Sequence, residues 1–297
     1  MTEPDTPSAT PLDPRLHAFR PDLADVRLRG RVEAERFVEG TRRVVANPYG
    51  APLYADPTRD GGMVAEAWPG EPLRVFEQRD GWAWVARERD GYVGYTPAGL
   101  DEPPETPATH RVVAPRTFGY AEPDMKREHL FTLGLGAPVT ALDERETRGT
   151  RYVHGRCGAA EGWFVAQHLR PAGEGGEEDW VDWAALLWGT PYLWGGETAF
   201  GLDCSGLVVL ALAMAGRHVQ RDSDMQAETT GEPVALDELR RGTLVFWRGH
   251  MGIMEDETTL LHANGHTMNV AREPLSAAVE RIGYLYGGPT GARHVAL

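Results

Sequence analysis

The chain has 297 residues, of which 41% are hydrophobic and 25% charged, and a formal net charge of -14. It exceeds the usual size of one domain, so two or three are expected, with the composition of a soluble globular protein. The negative charge argues against nucleic acid, anionic membranes and anionic wall polymers as partners, since each selects basic surfaces, and an acidic substrate would need a local basic patch.

Residues 1–35 are Pro-rich and then charged, which predicts an extended leader with a short helix near Asp22 to Phe37. The opening MTEPDTPSATPLDPRLHAF has neither a basic n-region nor an apolar core, so no secretory signal is expected. The apolar run Leu207 to Ala215 is too short to span a membrane. Cys157 and Cys204 allow at most one disulfide, and the expected location is the cytoplasm.

From Thr41 to Asp101, the runs RRVVANPYGAPLYA, PLRVFEQ, WAWVARE and GYVGYTP alternate with Gly, Pro and Asp turns, the pattern of a small β-barrel. The layout recurs: HRVVAPRTFGYAEPD echoes RRVVANPYGAPLYADP, and EGWFVAQHL echoes DGYVGYTPAGL. Two consecutive barrels are predicted, over 36–105 and 106–172, with a single larger β-sandwich as the alternative. PAGEGGEED, Pro171 to Asp179, reads as an exposed linker.

The remainder, 176–297, mixes helix and strand. DWVDWAALLWG puts Trp180, Trp183, Leu187 and Trp188 at helical spacing, with Gly189 as a C-terminal cap. The tryptophans 180, 183, 188 and 194 read as core, although Trp194 lies close to the turn that precedes Cys204. LVVLALAMAG is apolar on all sides and predicts a central helix. GTLVFW, HMGIMED and TLLHANG read as consecutive antiparallel strands, so the domain is α+β.

Cys204 falls in the first turn of the central helix, after a Gly-Leu-Asp turn. Unpaired backbone N–H groups and the positive end of the helix dipole converge there, which predicts a thiolate nucleophile. A cysteine hydrolase also needs a histidine base and a third polar group. His250 opens one strand and His262 ends the next, so adjacent strands can set the imidazoles side by side. An inert buried cysteine remains an alternative, as does a Cys/His/His zinc site, although these long separations lack the paired spacing of zinc ligands. Cys157 and His154, in RYVHGRC, read as structural.

The segments GTPYLWGGETAFGLDCSG, RRGTLVFWRGHMGIM and LLHANG resemble the three signature blocks of the NlpC-type cysteine peptidases, papain-like bacterial enzymes. Members cleave the bond between γ-D-glutamate and a diamino acid in peptidoglycan stem peptides. The resemblance implies a papain-like α+β catalytic domain preceded by two bacterial SH3-like barrels. It makes Cys204 the nucleophile, His250 the base and His262 the orienting residue. It also places the Tyr192 hydroxyl near the oxyanion position and assigns Asp203, Ser205 and Trp194 to the substrate-binding surroundings. No metal or organic cofactor is required.

RDSDMQ resembles the mark of a recycling subgroup that acts on peptides with a free N-terminal L-Ala. By that resemblance Asp222 pairs with the substrate ammonium, Ser223 hydrogen-bonds nearby, and a tyrosine of the first barrel, Tyr92 or Tyr95, closes the pocket. Asp222 as a simple cap of a turn or helix near Met225 stays open. Arg221 and Arg248 are candidates for the substrate's carboxylates on position alone. The implied partners are free murein stem peptides, carrying diaminopimelate or lysine, met by a monomer. Two other functions compete: a non-catalytic wall-binding protein using its SH3-like domains, and a papain-like amidase or acyltransferase on another substrate.

Overall fold

The computed structural model describes residues 11–97, 99–174 and 178–297. Residues 1–10 of the expected leader and 175–177 of the expected linker lie outside the described residues.

The leader does not form the expected helix. Leu23–Asp25 is a short strand, Val26–Leu28 a single 3-10 turn, and Arg36–Val38 a second strand parallel to the first. The Asp25 carboxylate accepts the Arg27 N–H at 2.9 Å, a local bond that competes with helix. Gly30 then takes a φ of 82°, which breaks any continuation. Ala18 and Leu23 pack with Phe76, Trp84 and Ala86, so the leader covers the first β unit as extended chain.

Seven strands from Thr41–Val45 to Leu100–Asp101 form one sheet, and seven from His110–Val112 to Leu169–Pro171 form another. Numbered within its own unit, each sheet has the strand order 3-2-6-5-4-1-7. The repeat in sequence is thus a repeat in topology. Each unit has its own core, with Val45, Leu53, Leu73 and Val85 in the first and Val112, Leu133, Val139 and Phe164 in the second. Alternating apolar residues supply these inward faces.

The rest of the chain packs α1 (Trp180–Leu186), α2 (Cys204–Met214), α3 (Ser223–Thr229) and α4 (Leu275–Tyr286) with a six-stranded antiparallel sheet. Three central strands, Thr243–Trp247, His250–Met254 and Thr259–Asn264, follow one another in space as in sequence. Ten of the eleven residues of α2 are buried, as its unbroken apolar run requires. Trp180 and Trp183 join this core, but Trp188 and Trp194 do not: each is 64% exposed. They follow the end of α1, on a loop rather than on its apolar face. Leu135, from a turn of the second β unit, is also part of the core, and a Cβ on Gly136 beside it would lie 3.4 Å from the Met214 sulfur.

Candidate active site

Asp203 caps α2 by accepting the Gly206 N–H at 2.8 Å, which sets Cys204 as the first helical residue. A Cβ on Gly206 would lie 2.1 Å from the Gly196 carbonyl oxygen, so the helix start rests directly on the 195–196 turn. Only glycine permits that approach. Beside it runs the strand that His250 opens, and the backbone N–H groups of Met251 and Ser205 stabilise negative charge on the Cys204 sulfur.

His250 Nε2 and His262 Nδ1 are 2.8 Å apart. With Nε2 engaged, the ring atom left for the thiol is Nδ1. A basic Nδ1 requires the proton on Nε2, so His250 donates to His262 Nδ1, and His262 carries its own proton on Nε2. That atom lies 2.8 Å from Glu273 Oε1, which also meets Arg281. The pair is close but off the line of a hydrogen bond. Glu273 thus sits behind the histidine pair, and no motif had marked it.

Burial, and then the Asp203 carboxylate, push the Cys204 thiol up to about 12. Burial first, then His262 and Arg281, hold His250 down to about 3, and burial followed by Arg281 holds His262 down to about 4. At rest the thiol and both imidazoles are therefore neutral. This corrects the expectation of a thiolate, because desolvation outweighs the helix terminus. Burial, and next the nearby Cys204, also raise the Tyr192 phenol well above its ordinary range, so its hydroxyl remains a proton donor.

Asp203, Ser205 and Arg221 are bound to one another in a buried network. Arg221 is 1% exposed; it donates to Asp203 Oδ2 at 2.5 Å and to Ser205 Oγ at 2.7 Å, and its Nε lies 2.8 Å from Glu197 Oε1. Asp203 accepts in addition from the Gly195 N–H at 3.0 Å. Sequence gives no sign of the carboxylates that neutralise this guanidinium.

The same network joins the first β unit. Glu197 is fully buried and accepts from Arg87 at 2.6 Å and from Arg89 at 2.9 Å. The backbones of Glu66 and Glu197 each donate to the other's carboxylate at 3.0 Å, and Trp68 Nε1 donates to the Glu197 carbonyl at 2.9 Å. Three arginines thus surround one carboxylate across the junction.

Asp222 sits at this junction as the residue before α3, but its side chain makes no cap. Its Oδ2 accepts the Tyr92 hydroxyl at 3.1 Å and Arg15 Nη1 at 2.8 Å; Oδ1 accepts nothing among the described residues. Arg15 also meets Asp13 and Asp224. One guanidinium among three carboxylates leaves the cluster with a net charge of about -2, suited to a cation. Tyr95 lies elsewhere, accepting from Arg20 at 2.9 Å and stacked on Trp84, so Tyr92 is the tyrosine at Asp222. Ser223 opens α3 half-buried, its hydroxyl unpaired among the described residues. Cys157 is buried in the second β unit and pushed up to about 12 by that burial, while His154 stacks on Trp163 at 4.7 Å.

A buried thiol at a helix start, beside a histidine pair and a phenol donor, is the equipment of a cysteine peptidase. Residues 189–281 match the NlpC/P60 family and residues 53–99 the bacterial dipeptidyl-peptidase SH3 domain, so the chain carries an NlpC/P60 domain, of a cysteine-peptidase class, together with such an SH3 domain. It is 26% identical over 262 residues to dipeptidyl-peptidase 6 of Lysinibacillus sphaericus, across 80% of this chain and 97% of that one. Over 98 residues it is 35% identical to the γ-D-glutamyl-L-lysine dipeptidyl-peptidase of Bacillus subtilis, spanning 30% of this chain and only 33% of that protein. The crystal structure of an NlpC/P60 family protein from Bacillus cereus shares the fold, with a TM-score of 0.68 over 86% of this chain and 99% of that one, at 19% identity.

Proposed function

We propose that this peptidase hydrolyses the bond between γ-D-glutamate and a diamino acid in free murein stem peptides with an unblocked N-terminal L-Ala. In this reading it recycles cell-wall peptides in the cytoplasm, its catalytic domain is papain-like, and its second β unit is a second SH3-like domain. The observation that carries the proposal is the Asp222 carboxylate, held by the Tyr92 hydroxyl of the first β unit with Oδ1 open. An α-ammonium can pair with that oxygen and an N-acylated end cannot.

The chemistry follows from the relay. Cys204 Sγ attacks the γ-glutamyl carbonyl carbon as its proton passes to His250 Nδ1, and the charge that develops on oxygen meets the Tyr192 hydroxyl. When the C–N bond breaks, His250 returns the proton to the leaving amine. His250 then takes a proton from water, whose oxygen attacks the thioester and frees the thiol. Neutral partners at rest fit this sequence, since the proton moves only as the bond forms. A wall-binding role without catalysis would have no use for the complete Cys204, His250 and His262 set.

The test compares kcat/KM for L-Ala-γ-D-Glu-L-Lys and its N-acetyl form, in wild type and in Asp222→Asn. Wild type should favour the free amine by about a hundredfold, and Asp222→Asn should erase most of that preference. Equal rates on both peptides, or a ratio untouched by the substitution, would overturn the reading.

A further inference from the structure

We infer that Arg248 reads the α-carboxylate of the leaving diamino acid, in a cleft that His250 lines and that neither Asp222 nor Tyr92 enters. A cleft of about 540 Å³ is lined by Tyr192, Trp194, Arg248, His250 and Arg281, among others. Its size suits a small ligand. No lining residue is Asp or Glu, although the chain as a whole carries a net charge of -14. Two arginines and no carboxylate in a cleft that the proposed base also lines suit an anion there.

The two arginines of the cleft differ. Arg281 is neutralised by Glu273. Arg248 makes no hydrogen bond or ion pair among the described residues, and it sits in the two-residue turn between the strands ending at Trp247 and starting at His250. The charge is thus unspent and tied in sequence to the base. Exposed Trp194 and the Tyr192 ring supply walls for an aliphatic side chain.

Direction identifies which carboxylate arrives. With the substrate's amine at Asp222 and its scissile carbonyl at Cys204, the glutamyl portion occupies the intervening stretch. No residue of the first β unit or of α3 lines the cleft. What extends past His250 is the departing amine component, whose own carboxylate can form a charge-assisted pair with a guanidinium. This inference rests on the peptidase function proposed above.

Three substrates separate it from that function: L-Ala-γ-D-Glu-L-Lys, the same peptide amidated at the lysine carboxylate, and the same peptide amidated at the glutamate α-carboxylate. Wild type should favour the free lysine acid over its amide by about tenfold in kcat/KM, expressed in KM. Arg248→Gln should bring that ratio near one, and Arg248→Lys should restore part of it. A wild type that cleaves the peptide without distinguishing lysine acid from amide, or an Arg248→Gln enzyme that keeps the full ratio, overturns the assignment while the peptidase function stands. So does an Arg248 effect that follows glutamate amidation instead. Failure to cleave any of the three overturns both.

Discussion

Arg221 Nε lies 2.8 Å from Glu197 Oε1, and through that contact the cap of the catalytic helix is fastened to the first β unit. Both groups are almost fully buried, at 1% and 0% exposure. Removing one partner leaves the others charged in a medium that cannot solvate them.

Arg221→Met is therefore expected to destabilise the protein by about 3–5 kcal/mol, because Glu197 and Asp203 each lose a cation at a site closed to water. Urea unfolding of wild type and variant gives the comparison. A loss below about 1 kcal/mol would mean that Arg87 and Arg89 suffice and that Arg221 is incidental.

Cys204→Ala should lower turnover at least about a thousandfold with the fold intact, since the thiol is the proposed nucleophile and alanine is favoured in helix. His250→Ala should be nearly as severe. His262→Ala should cost less, about ten- to a hundredfold, if His262 fixes the His250 tautomer as proposed and does not transfer the proton. Single-turnover rates with circular dichroism as the folding control distinguish these cases. An His262→Ala enzyme as inactive as His250→Ala would assign the proton transfer differently.

Glu66 gives stability a dependence on pH. Burial raises its carboxyl to about 7, against an unfolded value near 4.5. The folded state therefore holds the proton more tightly, and this contribution is complete below pH 4.5 and lost as pH rises through 7. Glu197 has the opposite sign: its arginines outweigh its burial and lower it to about 2, so its contribution is present above 4.5 and fades toward pH 2. Glu66→Gln should be more stable than wild type at pH 8, by up to about 3 kcal/mol, and close to it at pH 5. Denaturant midpoints at both pH values test this. A difference that does not change with pH would mean that Glu66 stays ionised throughout.

Local signals were legible in the sequence where one residue's chemistry sufficed. The apolar run after Cys204 announced a buried helix, and the alternation around His250 and His262 announced paired strands; both histidines meet because those strands are neighbours. What sequence hides is partnership across long separations. The partners of Arg221 were not foreseen, because Glu197, 24 residues earlier, carries no motif and the arginines that share it, Arg87 and Arg89, belong to another unit. Glu273 was missed for the same reason. The leader misled differently: its charges suited an exposed helix, yet Leu23 and Ala18 had apolar neighbours on the first β unit that only folding brings close.

Leu135 gives the chain a further property. It belongs by sequence to the second β unit but fills the core around α2, where its neighbours include residues more than 60 positions away. A peptidase region severed at the linker would carry an empty socket in its interior, worth about 2–5 kcal/mol by the usual cost of a missing leucine. The boundary that composition draws near Pro171 is consequently not a boundary in cooperativity. Unfolding of the second unit withdraws a side chain from the interior around Cys204, so the two regions should share part of one melting transition.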